Sequence, residues 1–184
     1  MQNHKDLIIS YDKQEILNAL AKYDPPADNR ADVNACNMQE IQKISSILNL
    51  SIPIRSILFF RMGKAFTGFI HKDMNLNIPS LLINYALNLP LANCEQVYMK
   101  WFTQNDMSIN SEPFGGPSNG SPTPLLDRNN ATCIDTVNCD SAKLVSVNDW
   151  HAIENHSMEN LAYLISIRFD NNVKPSMDLP MNEW

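Results

Sequence analysis

Hydrophobic residues in the first fifty positions recur at helical spacing. In the segment 11–22 the apolar side chains lie three and four positions apart, as on one face of an α-helix; they are Ile16, Leu17, Leu20 and Ala21. The turn-forming residues 24–26 (Asp-Pro-Pro) end this segment. Asn37 and Glu40 form a capping-box pattern before a second apolar stripe at Ile41, Ile44, Ile47 and Leu48. The pattern predicts one or two N-terminal helices that cover a sheet.

From residue 52 onward the pattern changes to short runs that are rich in β-branched and aromatic residues. Such runs, separated by turns rich in Asp, Asn and Ser, are typical of a β-sandwich or β-barrel. The predicted strands cover residues 54–62, 65–71, 81–91, 96–103, 132–137, 143–147, 150–154 and 161–169. We therefore expect a mainly β fold of about eight strands, with the helices packed outside.

The segment 104–131 interrupts this pattern with prolines, glycines, serines and asparagines, and it shows no periodicity. A loop of this length in a compact domain is usually either a functional lid or disordered, and the sequence leaves both open. The polar tail 171–184 is expected to run over the surface. We expect one domain (1–184), with a helical part at 1–50 and a β core at 52–170.

Composition narrows the classes of function. The net charge is -6 and no cluster of basic residues offsets it, so a nucleic-acid partner is not expected. The most apolar stretch, 52–62, is interrupted by a proline and two arginines, which argues against a membrane span. The polar N-terminus lacks the apolar core of a signal peptide. Four scattered cysteines are typical of a reducing compartment, so a cytoplasmic location is expected; a Cys133–Cys139 disulfide is the alternative.

The candidate chemistry begins with the tripeptide His71-Lys72-Asp73. Residues two apart on an extended strand point to the same face, so this imidazole and this carboxylate can act together. A second histidine, His151, lies on a predicted strand near the C-terminus. Two imidazoles and one carboxylate can occupy one face of an Fe(II) octahedron and leave positions open for a cosubstrate and O₂. His71, Asp73 and His151 are therefore the candidate metal ligands.

The order of these motifs resembles that of the Fe(II)- and 2-oxoglutarate-dependent oxygenases, which are built on a double-stranded β-helix (a jelly-roll or cupin-like fold). The segments 84–94 and 101–102 are similar to a strand pair in small phage and marine bacterial members, related to the aspartyl/asparaginyl β-hydroxylase-like branch. The segments 150–157 and 164–169 resemble the closing pair of strands in that family. The likeness covers residues 52–170 and excludes the first fifty residues.

The resemblance implies a hydroxylase. Iron would be held by His71, Asp73 and His151, 2-oxoglutarate would chelate it, and O₂ would take the last position. The substrate would be an amino acid, a peptidyl residue or a small metabolite, and succinate and CO₂ would be released. The protein's share of such chemistry is to hold the geometry and to exclude water. The resemblance does not rank the substrates, and the oligomeric state is not predicted.

The cosubstrate anchor departs from the pattern of that family. The arginine that these enzymes usually carry soon after the second histidine is absent, and Arg168 is the arginine on the last predicted strand. By alternation, Arg168 shares a strand face with Ser166. It either reaches into the barrel with Ser166 as a bidentate carboxylate clamp or lies at the outer rim. In the second case the reserve cations are Lys100, Arg55 and Arg61.

Several other positions have two interpretations. Asn84 and Asn88 share a strand face, where they either orient the cosubstrate or are polar residues near a turn. Trp101 and Tyr98 either line the substrate pocket or only pack. Glu154 either hydrogen-bonds to a metal ligand and orients it, or hydrogen-bonds in a turn.

The remaining histidines are expected to have no part in the metal site. His4 is expected to be solvated near the terminus, and His156 is expected to be a turn residue, since its odd separation from His151 would put it on the opposite strand face.

Two other functions compete with the oxygenase hypothesis. One is a non-catalytic jelly-roll module that binds a partner or a sugar. The other is a cupin-type metalloenzyme that does not use 2-oxoglutarate. An Fe(II) titration with 2-oxoglutarate separates these hypotheses, because only the oxygenase needs both.

Overall fold

The computed structural model describes the chain at residues 3–23, 25, 30–50, 54–73, 85–106, 113–115 and 122–169. The helices in these ranges are α1 (Lys13–Ala19) and α2 (Met38–Leu48). The predicted capping box is present at the start of α2, because the Asn37 side chain accepts from the Glu40 amide and the Glu40 carboxylate accepts from the Asn37 amide.

Strands make up most of the remaining described chain. They are β1 (His4–Asp6), β2 (Ala31–Ala35), β3 (Ile54–Met62), β4 (Phe66–Thr67), β5 (Ile70–His71), β6 (Tyr85–Ala92), β7 (Val97–Gln104), β8 (Pro113–Gly115), β9 (Pro122–Leu126), β10 (Ala131–Asn138), β11 (Lys143–Ser146), β12 (His151–Asn155) and β13 (Ala162–Phe169). A 3₁₀ turn at Arg128–Asn130 separates β9 from β10. One sheet has the order β1-β11-β6-β13-β3-β2, and the other has the order β10-β7-β12-β5-β9-β8, with β4 paired to β12.

The strand order is that of a jelly roll, in which two antiparallel sheets face each other and the chain crosses between them. The core of the first sheet is β11-β6-β13-β3, and the core of the second is β10-β7-β12-β5. Along the chain, β3, β6, β11 and β13 belong to the first sheet, whereas β5, β7, β10 and β12 belong to the second. This order confirms the prediction of a mainly β, double-stranded β-helix with N-terminal helices outside it.

Two hydrophobic clusters lie on opposite faces of the first sheet. Ile57 and Phe59 of β3 pack with Ile16 and Ile44 of the two helices. Residues on the other face, including Met62, pack between the sheets. This division follows from the alternation of side chains along a strand. The helices therefore close one face of the sheet and leave the other face to line the barrel interior.

Gly68 explains why the predicted strand 65–71 is divided into β4 and β5. The Gly68 amide donates to the carbonyl oxygen of Ile153 at 3.1 Å, and a Cβ at Gly68 would lie 2.3 Å from that oxygen. Only glycine permits so close an approach to β12. The other predicted strands are confirmed as β3, β6, β7, β10, β11, β12 and β13, with ends within one residue where the chain is described.

The interpretation of 104–131 as an aperiodic loop is wrong for part of that segment. β8 pairs with β9, and β9 pairs with β5, where His71 lies opposite Leu125. The strand β9 was not predicted because it contains prolines, which are depleted in strands. β1 and β2 were not predicted either, since such short strands carry little periodicity. Asn84 and the tail 171–184 lie outside the described residues.

The described helices and thiols bear on two further expectations. Neither helix in the described ranges is long and apolar enough to cross a membrane. All four cysteines are free, so the alternative of a Cys133–Cys139 disulfide is wrong. Burial raises the pKa of the Cys36 and Cys139 thiols to about 12. These two are therefore unreactive core residues, whereas Cys133 is exposed.

Candidate metal centre

Two neighbouring strands bring the two candidate histidines together. His71 ends β5 and His151 begins β12, and the antiparallel register places them directly opposite each other. Their ring centroids lie 4.5 Å apart. Ile70 and Ala152, the adjacent residues on the two strands, pack in a separate cluster on the outer face of the sheet. By alternation, both imidazoles face the barrel interior.

Asp73 follows β5 and is positioned by its own backbone, whose amide donates to the carbonyl oxygen of Val147 at 2.7 Å. Its Oδ1 lies 3.3 Å from His71 Nε2 and 3.9 Å from His151 Nε2. One ligand atom from each of these three residues lies within 4.8 Å of the others. The structure therefore brings all three candidate ligands together on one side of the barrel interior.

A main-chain carbonyl orients each imidazole. His71 Nδ1 lies 3.0 Å from the Phe69 oxygen, and His151 Nδ1 lies 2.8 Å from the Asp149 oxygen. Because a carbonyl oxygen only accepts, each Nδ1 carries a proton and donates it. The Nε2 atom of a neutral ring then keeps its lone pair, on the side that faces Asp73. Metal-binding histidines are commonly oriented by such a partner.

The three residues change one another's protonation. Burial alone would raise the pKa of Asp73, but the Arg168 guanidinium and the histidines hold it well below its usual range. Burial lowers the pKa of His151 to about 3, and the charge of His71 adds to this effect. Burial opposes the charged form of His71 too, but the hydrogen bond with Asp73, the charge of Asp73 and the hydrogen bond with the Phe69 carbonyl together outweigh burial and raise the pKa of His71. At neutral pH the Asp73 carboxylate is ionised and His151 is neutral, the forms that bind metal.

Arg168 points into the barrel and does not lie at the outer rim. Its side chain is 6% exposed, and its Nη2 and Nε atoms lie 2.5 Å and 3.1 Å from Asp73 Oδ2. Asp73 thus turns one oxygen to the histidines and the other to the guanidinium. Nη1 of Arg168 donates to the carbonyl oxygen of Ser166 at 3.2 Å. The Asp73 carboxylate therefore lies between the Arg168 guanidinium and the two imidazoles.

Ser166 and Asn88 form a polar pair in the same interior. They lie opposite each other on β13 and β6, and Ser166 Oγ donates to Asn88 Oδ1. The Asn88 amide nitrogen lies 3.6 Å from Met99 Sδ, and both polar side chains are buried. Since Ser166 shares a strand face with Arg168, this pair lies on the same wall of the barrel as the guanidinium.

The two aromatic candidates lie on opposite faces of β7. Trp101 is paired with His151 in the register, is fully buried, and donates from Nε1 to the Ser146 carbonyl oxygen at 2.9 Å. Tyr98 is three residues earlier and therefore on the outer face. Its ring contacts the ring of His156, with centroids 4.9 Å apart. The structure places Trp101 beside the candidate metal centre and Tyr98 on the outer face of the sheet.

Glu154 binds three cationic or polar partners on the outer face of the second sheet. Its oxygens lie 2.6 Å from Lys100 Nζ, 2.7 Å from Arg128 Nη2 and 2.8 Å from His156 Nε2. Arg128 also donates to the Gly68 carbonyl oxygen at 2.6 Å. Glu154 therefore ties β7, β12 and the 3₁₀ turn together, and the reserve cation Lys100 is engaged away from the metal centre. Of the other reserve cations, Arg55 is exposed, and Arg61 lies in a separate cleft described below.

His4 is the histidine whose position the sequence interpretation missed. It was expected to be solvated, but β1 pairs with β11 and brings the His4 ring onto Trp101, with centroids 5.8 Å apart. Next to it, Asn3 Nδ2 donates to Asp135 Oδ2 at 3.1 Å and so joins β1 to the opposite sheet. A three-residue strand is too short to show a period, so no signal in the sequence could have identified this contact.

Comparisons with known proteins add little beyond this geometry. No family model and no curated protein sequence matches the chain. Among solved structures, the chain is similar to a vicilin from Corylus avellana (hazelnut), with a TM-score of 0.35 and 9% sequence identity over 82% of this chain. This chain spans 33% of that vicilin chain. The jelly-roll assignment therefore rests on the strand order, and the candidate metal centre rests on its own geometry.

Proposed function

We propose that the chain is an Fe(II)- and 2-oxoglutarate-dependent oxygenase that hydroxylates an amino acid, a peptidyl residue or a small metabolite. One observation carries the proposal: His71, His151 and Asp73 converge inside a jelly roll, beside an inward-facing arginine. Two imidazoles and one carboxylate are a donor set suited to Fe(II) with open coordination positions. The proposal extends to the substrate only as far as these three classes.

Asp73 and His151 fit a divalent metal ion in their protonation, and all three residues fit it in their spacing. The main-chain carbonyls bind the Nδ1 atoms and so direct the Nε2 atoms of His71 and His151 toward Asp73. Arg168 favours the ionised form of Asp73. When bound, iron and 2-oxoglutarate would supply the activation of O₂ for C–H hydroxylation. The chain's own part is to hold His71, Asp73 and His151 in place, while the buried Trp101 excludes water behind His151.

Arg168 would hold the distal carboxylate of 2-oxoglutarate. In the structure the guanidinium is paired with Asp73 Oδ2. A metal ion bound by Asp73 would reduce the net negative charge there and weaken the attraction for Arg168. The planar guanidinium could then accept a second carboxylate, for which its geometry is suited. Ser166 and Asn88 lie on the same wall and would help to orient that carboxylate.

Anaerobic addition of Fe(II) and 2-oxoglutarate tests the proposal. We expect a weak visible charge-transfer band and, once O₂ and ascorbate are admitted, conversion of 2-oxoglutarate to succinate. Both signals should vanish in Asp73→Ala. Glu95→Ala removes an exposed carboxylate and should retain both signals. Absence of the band and of succinate formation in the unmodified protein would contradict the proposal.

A metalloenzyme that does not use 2-oxoglutarate is the second candidate. The ion pair of Arg168 with Asp73 favours it, because a guanidinium engaged by a ligand carboxylate is not free to hold a cosubstrate. Calorimetric Fe(II) binding that is lost in His151→Ala but is unchanged by 2-oxoglutarate would select this candidate. Absence of metal binding in the unmodified protein would instead select a non-catalytic binding module.

A further inference from the structure

A second polar site lies on the helix-covered face of the first sheet. Residues Lys22, Tyr23, Asp32, Val33, Asn34 and Arg61 line a cleft of about 440 Å³. Arg61 shares its face of β3 with Phe59, which packs against the helices and not in the barrel. The cleft is therefore on the opposite side of the sheet from the metal centre, and the proposed oxygenase reaction does not use it.

Arg61 is buried, and no carboxylate of the described chain lies at hydrogen-bond distance from its guanidinium. Its side chain is 6% exposed, and Asp32 Oδ2 lies 3.8 Å from its Nη2 atom. Its Nε has no hydrogen-bond partner among the residues that the structure describes. A guanidinium stays charged at any accessible pH, and a buried charge without hydrogen bonds is costly. Arg61 therefore lacks an acceptor that a ligand could provide.

Two aromatic rings hold the Arg61 guanidinium in place. Its central carbon lies 5.5 Å from the centroid of the Tyr23 ring and 5.8 Å from that of Phe59. Cation–π contacts stabilise the charge and restrict the side chain, but they satisfy none of its N–H donors. The guanidinium is thus pre-positioned to donate to a planar or tetrahedral oxyanion.

Within the described ranges, the two carboxylates near Arg61 do not supply the acceptor that it lacks. Glu40 already accepts from Lys22 Nζ at 2.6 Å, from the Tyr23 hydroxyl at 3.1 Å and from the Asn37 amide at 2.7 Å. Asp32 is 49% exposed, so water screens its charge. Lys22, which is paired with Glu40, is 54% exposed and stands at the rim of the cleft.

We propose that this cleft binds the oxyanion group of a small organic ligand, a carboxylate or a phosphate ester, with Arg61 as its bidentate partner. The guanidinium donors match both groups in geometry. Lys22 stands at the rim, and Val33 and the Tyr23 ring offer apolar surface to the rest of the ligand. The cleft volume is in the range of small-molecule sites.

Titration of the intact, metal-free 184-residue chain with inorganic phosphate and, separately, with succinate tests this site by NMR. The amides of Tyr23 and Asn34 report the cleft, and the amide of Ser166 reports the metal centre, so binding at Arg168 is distinguished. Arg61→Met should weaken binding at the cleft by about tenfold or more. Arg61→Lys keeps the positive charge but loses the planar guanidinium with its two parallel N–H donors, and it should also weaken anion binding. Arg55→Met removes an exposed arginine from the same strand and should leave the affinity unchanged.

Asp32→Asn provides a test that does not depend on the folding of the Arg61 variants. Asp32 competes for Arg61, so its removal should tighten anion binding about two- to fivefold. A response to phosphate alone assigns a phosphate ester, and a response to succinate alone assigns a carboxylate. The proposal is overturned if neither anion shifts the cleft amides, if Asp32→Asn leaves the affinity unchanged, or if Arg55→Met weakens binding as much as Arg61→Met.

Discussion

At the scale of single residues, the candidate metal centre depends on how Asp73 uses its two carboxylate oxygens. Oδ1 lies 3.3 Å from His71 Nε2, and Oδ2 lies 2.5 Å from Arg168 Nη2. The residue types were recognisable from the sequence, but this ion pair was not, since Arg168 had two equally reasonable orientations. Because both partners are removed from water, each depends on the other for its stability.

Removing one partner of this ion pair should cost more stability than removing both. Asp73→Ala should lower the free energy of unfolding by about 3–5 kcal/mol, because Arg168 remains buried and unpaired. The double variant Asp73→Ala/Arg168→Met should recover much of that loss. Urea unfolding without added metal measures both, and Glu95→Ala should change the value by less than about 0.5 kcal/mol. An Asp73→Ala protein as stable as the unmodified protein would contradict the ion pair.

At the scale of elements, the ligand-bearing strands β5 and β12 are held together from both sides. The Gly68 amide and the Ile153 carbonyl join the β4–β5 segment to β12. On the outer face, Arg128 binds both the Gly68 carbonyl and Glu154. These contacts come from segments far apart in the chain, and they set the distance between His71 and His151.

Gly68→Ala tests the close approach of these strands. The added Cβ would lie 2.3 Å from the Ile153 carbonyl oxygen, so the strands must separate. We expect a loss of roughly 2–3 kcal/mol in the free energy of unfolding and weaker metal binding, measured by denaturation and by calorimetry. Thr67→Ala, at the exposed neighbouring position, should retain metal affinity. Unchanged metal affinity in Gly68→Ala would show that the approach does not position His71.

Glu154 should make stability depend on acidic pH. Burial alone would raise its pKa, but hydrogen bonds from Lys100, His156 and Arg128 lower it from 4.5 to about 2. The unfolded chain therefore binds a proton more readily than the folded chain. The contribution of Glu154 is complete above about pH 4.5 and is lost as the pH falls toward about 2.

Chemical unfolding across this pH range measures the contribution of Glu154. Glu154→Gln should lower the free energy of unfolding at neutral pH by roughly 1–2 kcal/mol, because it removes the buried negative charge that pairs with Lys100 and with the more exposed Arg128 and His156. It should also flatten the pH profile between about 4.5 and 2. Glu95→Gln, at an exposed position, should keep the profile of the unmodified protein. A Glu154→Gln profile parallel to that of the unmodified protein would contradict the assignment.

At the scale of the whole molecule, the candidate metal centre joins parts of the jelly roll that are distant in the chain. Its candidate ligands come from β5, the residues that follow it, and β12. A metal ion that binds them would be bound by the folded chain and not by the unfolded chain. Its binding free energy would therefore add to the stability of the fold.

This linkage predicts a rise in Tm when Fe(II) is added without oxygen. At a free concentration of about one hundred times Kd, the stabilisation is about 2.7 kcal/mol, which corresponds to a Tm rise of roughly 5–10 °C in a domain of this size. Calorimetry should detect this rise in the unmodified protein and in Glu95→Ala. His151→Ala should show none. An equal rise in His151→Ala would place the bound metal elsewhere.

Local patterns were enough to predict the mainly β class, the two N-terminal helices and most strands of the jelly roll, and to single out His71, Asp73 and His151, which the structure brings together. These features depend on neighbours along the chain, where periodicity and capping are visible. Proline-rich β9 and the three-residue β1 were not predicted, because tertiary pairing stabilises these strands although their local propensity does not favour a strand.

The tertiary structure alone decided the arrangement of the candidate metal centre. It placed His71 directly opposite His151, turned Arg168 inward onto Asp73, put Tyr98 on the outer face of its sheet and left Arg61 in a separate cleft. Sheet pairing and register are set by contacts between segments that are distant in the chain. Such contacts leave no periodic signal in the residues that make them, and for this reason the residue types could be predicted while their partners could not.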